Sequence, residues 1–348
     1  MDYSVYEKEF TAAALAKGKT AEYIQDCLSY AKPLIERGLP VIYDVKDFAK
    51  LVGVPRTELY RMANGTRSFY RHFEIPKSNG KMRKISAPMP RLKRIQAYIL
   101  SEILCRIPCH PCAKAYIKDL SLRDNAKFHR EQETLLKIDI QDYFPSLKTD
   151  RVCAFFQSLG YSQTLCGLFA NLCTLSGGLP QGAPTSPYLS NLLTRRLDQE
   201  LFEYCQTNGG LRYTRYADDI TISGSFDCRV VIPKVYDAIG RSGLKPNKEK
   251  THVIGAHLQQ NVTGIVVNKK IQVSRTYRKQ LRSDVYYIRK FGLDDHFQRI
   301  QEKIKADSKE QYLQKLLGRI AYCLQINPDD GEMREYKAYV VQLLRQNH

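Results

Sequence analysis

Apolar and polar positions alternate at helical spacing from the start of the chain, and residues 1 to about 70 read as helices. Within them, DVKDFAKLVGVPRTELYRMAN, from Asp44 to Asn64, predicts two short helices around a turn at Gly53. That outline suits a helix-turn-helix, but a packing unit accounts for it better than DNA reading, because helix pairs about a Gly turn are common. EIPKSNGKMRKISAP follows, with Asn79-Gly80 as a two-residue hairpin signal and Lys81, Arg83 and Lys84 on the returning strand. RLKRIQAYILSEIL then places Leu92, Ile95, Ile99 and Ile103 on one face of an amphipathic helix. TLLKIDI, residues 134–140, is an apolar strand that ends in an acid. A helix is expected after Pro145, running through Phe155 and Phe156, and Pro184 and Pro187 open a long one with Leu189, Leu193, Leu197 and Leu201 on one face. RYTRYADDITIS predicts two short strands joined through Ala217-Asp218-Asp219. Another helix precedes Gly243, and VTGIVVNKKIQVS is a second hairpin. From Ser274 onward the pattern is helical and basic. No repeat or long linker interrupts it.

Length and charge change this picture. With 348 residues and 43% hydrophobic content, the chain can build two or three packed subdomains. A net charge of +18 exceeds what solubility needs and points to a polyanionic partner. Trp is absent, whereas 23 Tyr and 13 Phe are interleaved with Lys and Arg. That mixture suits single-stranded nucleic acid, whose bases stack on rings while cations track phosphates. MDYSVYEKEF has no apolar run, and no stretch of about 18 apolar residues follows, so a cytoplasmic protein with no membrane partner is expected. Ten cysteines are scattered and are expected as reduced thiols. Cys105, Cys109, His110 and Cys112 have spacing that could ligate zinc, but no second ligand pair follows, and packed thiols are the simpler account.

Three acids carry the chemistry. Asp218 and Asp219 adjoin each other in a tight turn flanked by β-formers, where neighbouring carboxylates repel. Asp139 ends an apolar strand, where an unpaired carboxylate is costly. A shared pair of Mg²⁺ ions is the simplest compensation for all three, because carboxylate oxygens and substrate phosphates together complete its shell. Two such ions can activate a 3′-hydroxyl and stabilise a leaving pyrophosphate.

At these residues the chain resembles the reverse transcriptases. KIDIQDYFPSL, GGLPQGAPTSP, YADD, KPNKEKT and VTGIVV stand in that family's order, over roughly residues 74 to 268. The resemblance implies an α+β right-hand polymerase fold with fingers, a ferredoxin-like palm and a helical thumb. It divides the chain into an N-terminal helical region (1–70), fingers (71–133), a palm (134–273, with a fingers insertion near 150–180) and a basic thumb (274–348). It makes Asp139 and Asp218 the principal metal ligands and Asp219 the third acid. The backbone at Ile140 completes the metal site and cradles the incoming triphosphate. Phe144 falls at the gate that leaves no room for a 2′-hydroxyl, against the alternative of a packed aromatic beside Tyr143. Gln181 lies over the incoming deoxynucleoside triphosphate (dNTP), with Gly182 allowing close approach. Arg83, with Lys81 or Lys84, grips the triphosphate, and Lys250 protonates pyrophosphate.

Two segments narrow the resemblance to retron reverse transcriptases. Asn125-Ala126-Lys127-Phe128-His129 matches their NAxxH pattern, and Val262-Thr263-Gly264 their VTG pattern. One departure is Ala115-Tyr116, where the family has a Gly-aromatic pair. The resemblance implies RNA contacts at Asn125, His129, Val262, Thr263 and Gly264. In the thumb, TYRKQLRSDVYYIRKFG brings Arg278, Lys279 and Arg282 to the RNA. The implied partners are a cognate structured noncoding RNA, the DNA copied from it, dNTPs and a separate effector protein. Synthesis would start from a guanosine 2′-hydroxyl and give RNA-linked single-stranded DNA, a host ribonuclease H would remove copied template, and the system would serve anti-phage defence. Another bacterial reverse transcriptase (diversity-generating, CRISPR-linked or abortive-infection type) is the alternative within enzymes. A noncatalytic RNA-binding scaffold is the alternative outside them, against which the three intact acids argue.

Overall fold

The computed structural model describes residues 2–76, 80, 82–304, 306 and 308–346. In chain order come α1 (Tyr3–Ala16), α2 (Ala21–Glu36), α3 (Val45–Val52), α4 (Arg56–Asn64), β1 (Tyr70–Pro76), β2 (Met82–Pro88) and α5 (Pro90–Tyr98). Then follow α6 (Leu122–Ala126), β3 (Thr134–Ile140), α7 (Tyr143–Ser146), α8 (Thr149–Leu159), α9 (Gln163–Cys173), α10 (Thr185–Leu193) and α11 (Arg195–Thr207). The remainder is β4 (Arg212–Tyr216), β5 (Asp219–Gly224), α12 (Cys228–Arg241), β6 (Pro246–Gly255), β7 (Asn261–Val262), β8 (Ile265–Val266), β9 (Gln272–Val273), α13 (Arg275–Ile304), α14 (Lys309–Ile326) and α15 (Gly331–Gln346). The chain forms two compact units: Met1–Ile117 with Asp139–Tyr204 and Arg229–Glu249, and Lys118–Ile138 with Cys205–Cys228 and Lys250–His348.

The first unit is mostly helical. Asp44 caps α3 by accepting the Asp47 N–H, and Gly53 ends it at φ 65, a left-handed conformation that suits glycine. The α3–α4 pair packs as a core unit. Phe48 is fully buried and meets Phe169 of α9 edge-on at 4.9 Å and Tyr98 of α5 at 6.0 Å. Leu92, Ile95, Ile99 and Ile103 are all buried, as their spacing predicts, but the helix loosens into a π turn over Ile99–Ile103. β1 and β2 pair antiparallel from Tyr70↔Pro88 to Pro76↔Met82 and are exposed along most of their length. Asn79 of the predicted turn, and Lys81, lie outside the described residues.

The long helix expected after Pro184 is two helices, α10 and α11, broken at Thr194. The Thr194 hydroxyl donates to the Ser190 carbonyl at 2.7 Å, a back-bond to the preceding turn of the kind that bends helices. Leu189, Leu197 and Leu201 are buried, but Leu193, next to the break, is only half-buried.

In the second unit β4 and β5 form an antiparallel hairpin. The sheet order is β4-β5-β3-β6, so β3 is an inner strand. β7, β8 and β9 make a small sheet. Its Val262, Ile265 and Val273 share one core with Leu281, Val285 and Ile288 of α13 and Leu313, Leu316 and Ile320 of α14. No described helix is long and apolar enough to cross a membrane.

Candidate active site

β3 alternates so that Leu136, Ile138 and Ile140 are buried while Asp139 is half-exposed. The Asn247 amide donates to Asp139 Oδ1 at 3.2 Å, and the Gln141 N–H donates to the Lys245 carbonyl at 2.8 Å. KPNKEKT therefore orients the carboxylate from the neighbouring segment. The chain then turns sharply at Asp142, φ 46, into α7. Tyr143 is buried there, its hydroxyl donating to the Ser190 carbonyl at 3.2 Å. Phe144 is half-exposed, its ring 5.5 Å from that of Tyr143 and 6.2 Å from that of Tyr116. Of the two aromatics, Tyr143 is the packed one.

The register Tyr216↔Asp219 leaves Ala217-Asp218 as a two-residue turn, so Asp218 is at the tip and Asp219 opens β5. Ala217 holds φ 58, uncommon for a residue with a Cβ. Beside it Arg215, a fully buried side chain, donates from Nη1 to the Ala217 carbonyl at 2.9 Å. This brings a permanent positive charge to the peptide preceding Asp218. Asp139 lies in the first unit and Asp218 and Asp219 in the second, so each unit holds part of the acid set. Among the described residues no group of three or more His, Cys, Asp and Glu side chains stands together as metal ligands. The donors themselves fit Mg²⁺: each is a hard carboxylate, half-exposed and at or next to a strand end.

Within the first unit, a cleft of about 700 Å³ is lined by Arg67, His72, Arg83, Lys84, Lys148 and Gln181, among others. It gathers the predicted Arg83, Lys84 and Gln181. The loop carrying Gln181 is seated on β2, where the Ser86 N–H donates to the Gln181 carbonyl at 2.8 Å. Gly182 has φ 125, and a Cβ there would lie 2.7 Å from the Ser86 carbonyl oxygen. Close approach, not flexibility, thus requires this glycine. Sequence reasoning missed Arg67, which donates to Ser176 at 3.3 Å, and Lys148, which closes KIDIQDYFPSLK. Asn247 stands in the same KPNKEKT segment as the expected Lys250, which is an exposed β6 residue of the second unit.

The NAxxH segment is turned inward. Asn125 is 1% exposed and His129 0%. Thr214 Oγ1 donates to Asn125 Oδ1 at 2.7 Å, so its own lone pair accepts from His129 Nε2, also at 2.7 Å. His129 Nδ1 pairs with the Ser223 hydroxyl at 2.8 Å. The motif's polar atoms thus brace β4 and β5, the strands of the Asp218 hairpin. In VTG, Val262 is buried and pairs with Ile265, leaving Thr263 (φ 48) and Gly264 (φ 84) as a two-residue turn. Ala115 is buried and accepts from Asn191 at 2.7 Å, while Tyr116 takes φ 63, so the positive φ falls on the aromatic residue.

Among the α13 cations expected at the RNA, Arg278 pairs with Asp330 and Glu332, and Arg282 with Glu332. Lys279 is exposed. The Arg282 guanidinium is the main reason the Glu332 carboxyl is held down at about 2. Near the Cys105 cluster, His110 Nε2 bonds Gln199 at 3.1 Å and Nδ1 accepts the Cys112 N–H at 3.2 Å. Both ring nitrogens are engaged, which fits packing better than zinc.

Comparison with known proteins adds to this geometry. A family model described as "Reverse transcriptase (RNA-dependent DNA polymerase)" matches residues 75–277. The chain is similar to the Retron Ec86 reverse transcriptase of Escherichia coli, with 34% identity over 276 residues, 78% of this chain and 84% of that one. It is also similar to the Retron Mx65 reverse transcriptase of Myxococcus xanthus, with 30% identity over 335 residues, 89% of this chain and 74% of that one. A solved telomerase from Candida albicans, in complex with a TWJ fragment of telomeric RNA, shares 11% identity at a TM-score of 0.44, over 78% of this chain and 61% of that one.

Proposed function

The chain belongs to the reverse transcriptase family, among its retron members, and from that premise we propose how its residues divide the work. It is an RNA-directed DNA polymerase, with an RNA template and dNTPs as substrates. Its fold is the family's α+β right-hand fold. The family generally works with divalent metal ions.

In our reading Asp139, Asp218 and Asp219, with the Ile140 carbonyl, hold two Mg²⁺ ions. When bound, these lower the barrier to 3′-hydroxyl attack and neutralise the leaving pyrophosphate. Asn247 keeps the Asp139 carboxylate oriented. Arg83, Lys81, Lys84, Arg67 and Lys148 bind the triphosphate, which suits their collection around one open cleft, Lys81 aside. Gln181 covers the nucleotide, and Gly182 lets its loop close on β2. Phe144 presents an apolar ring where a 2′-hydroxyl would need a partner, which favours deoxynucleotides. Lys250 donates the proton to pyrophosphate. Residues 71–133 serve as fingers, 134–273 as palm with the insertion near 150–180, and 274–348 as an RNA-gripping thumb, after the 1–70 helical region.

The basic cleft that gathers Arg83, Lys84 and Gln181 is the observation that carries this reading. Asn125, His129, Val262, Thr263 and Gly264 shape the surface against the cognate noncoding RNA, the buried ones through their neighbours. Lys279 contacts that RNA directly, and Arg278 and Arg282 do so on exchanging their acid partners. Synthesis begins at a guanosine 2′-hydroxyl of that RNA and yields RNA-linked single-stranded DNA. The enzyme acts in the cytoplasm with a separate effector in anti-phage defence. The test is to express the gene with its flanking noncoding DNA and extract total nucleic acid. A discrete DNA band that loses its RNA to ribonuclease and vanishes in Asp218→Asn supports the retron product. No band, with purified protein still copying a primed RNA, refutes that product.

A further inference from the structure

The second unit leaves three rings of α13 in solvent: Tyr286 is 54% exposed, Tyr287 44% and Phe291 39%. Contiguous exposed aromatics on a protein surface mark something that covers them. These rings are braced. Tyr287 lies nearly parallel to Phe291, with centroids 6.0 Å apart, and to His296 at 6.1 Å. His296 is itself buried and bonded through Nε2 to the Tyr312 hydroxyl at 2.9 Å. Tyr286 stands edge-on to Tyr287 at 5.4 Å. Cations interleave with them. Lys290 Nζ lies 5.6 Å from the Tyr286 centroid and 5.2 Å from that of Phe291, and Arg299 lies 4.9 Å from Phe291. Helical spacing also puts Lys279, Arg282, Tyr286 and Lys290 on one face. Residues 275–291 hold six Lys or Arg and a single acid, Asp284.

We propose that Tyr286 and Tyr287 are a stacking platform for unpaired RNA bases, with Lys279 and Lys290 holding the phosphates on either side. Charge decides the occupant. A protein surface apolar enough to cover three rings would bury Lys290 without a counter-charge, whereas a single strand brings a base for each ring and a phosphate for each cation. Duplex RNA hides its base faces and offers phosphates, 2′-hydroxyls and base edges instead. Arg278 and Arg282 are drawn to Asp330 and Glu332, so Lys279 and Lys290 are the cations this face offers a phosphate. The inference rests on the proposed RNA-gripping role of residues 274–348.

The test is fluorescence anisotropy of the full-length protein with a labelled 12-nucleotide oligouridylate and with a labelled blunt RNA duplex, across a salt series. Tyr286→Ala with Tyr287→Ala should weaken oligouridylate binding by about tenfold or more for each ring, leaving duplex binding and the salt slope unchanged. Tyr286→Phe with Tyr287→Phe keeps the rings and should bind as wild type, which guards against a folding defect. Lys279→Glu should reduce binding of both probes. Tyrosine-to-alanine variants that bind the oligouridylate as wild type, or lose both probes equally, overturn the platform. If Lys279→Glu weakens binding in that case, the thumb's RNA role survives. If neither change matters, that role falls too, and a protein partner covers the face.

Discussion

Gly182→Ala is the sharpest perturbation of the cleft proposed to hold the nucleotide. The added Cβ would lie 2.7 Å from the Ser86 carbonyl oxygen and 3.0 Å from Ile85 Cγ2, on a backbone at φ 125. A residue with a Cβ in that conformation costs about 1–3 kcal/mol. Overpacking against fixed backbone adds about 1–3 kcal/mol. The loop can escape only by sliding off β2, which breaks the Ser86-to-Gln181 bond at 2.8 Å, worth about 1 kcal/mol net. Either way Gln181 leaves its place, and a penalty of about 3 kcal/mol is roughly a hundredfold in rate. Primer extension on RNA at varied dNTP concentration should show kcat/KM for dNTP down about a hundredfold, chiefly through KM, with melting lowered by a few degrees at most. Gly177→Ala is the control: φ is 83 but nothing lies within 4 Å, so only the backbone term of about 1–3 kcal/mol applies, without the clash or the lost bond. A Gly182→Ala enzyme with wild-type kcat/KM, or a Gly177→Ala enzyme equally impaired, refutes the close-approach argument.

Asn247→Ala removes the bond to Asp139 and should lower kcat about tenfold while raising the Mg²⁺ concentration needed, read from a metal titration of primer extension. His129→Ala removes the ring partner of the Ser223 hydroxyl and one of the two partners of the Thr214 hydroxyl, leaves a buried cavity, and should cost about 3 kcal/mol of stability, seen as a drop in melting temperature with RNA affinity unchanged in the cold. Lost RNA affinity at an unchanged melting temperature would make the ring an RNA contact instead. Glu332 is held at about 2, below its ordinary 4.5, so its contribution is full above pH 4.5 and disappears as pH falls toward 2. Wild-type melting should therefore fall more steeply than that of Glu332→Gln across this window, and parallel curves would refute the pairing.

Much of this was legible because local chemistry and tertiary need agreed. Leu92, Ile95, Ile99 and Ile103 repeat at helical spacing and are all buried. TLLKIDI is the inner strand β3 within the bounds its pattern predicts. What escaped the sequence is long-range. Nothing near Asn247 says that its amide meets Asp139, 108 residues away. A one-residue break at Thr194 is invisible when the apolar spacing runs straight through it. Arg278 and Arg282 read as RNA-contacting cations because Asp330 and Glu332 lie 50 or more positions on. The resemblance implies RNA contacts at Asn125 and His129, yet both are buried, with Thr214 and Ser223 satisfying them inside. Which cations face the cleft and which face an acid depended on partners far along the chain.

Polymerisation through the carboxylates is tested most directly by comparing wild type with Asp218→Asn on one primed RNA template. Extension with dNTPs and Mg²⁺ is measured beside RNA affinity. The account predicts that wild type extends the primer while Asp218→Asn binds the RNA nearly as well and extends nothing. Extension by Asp218→Asn at the wild-type rate would contradict it.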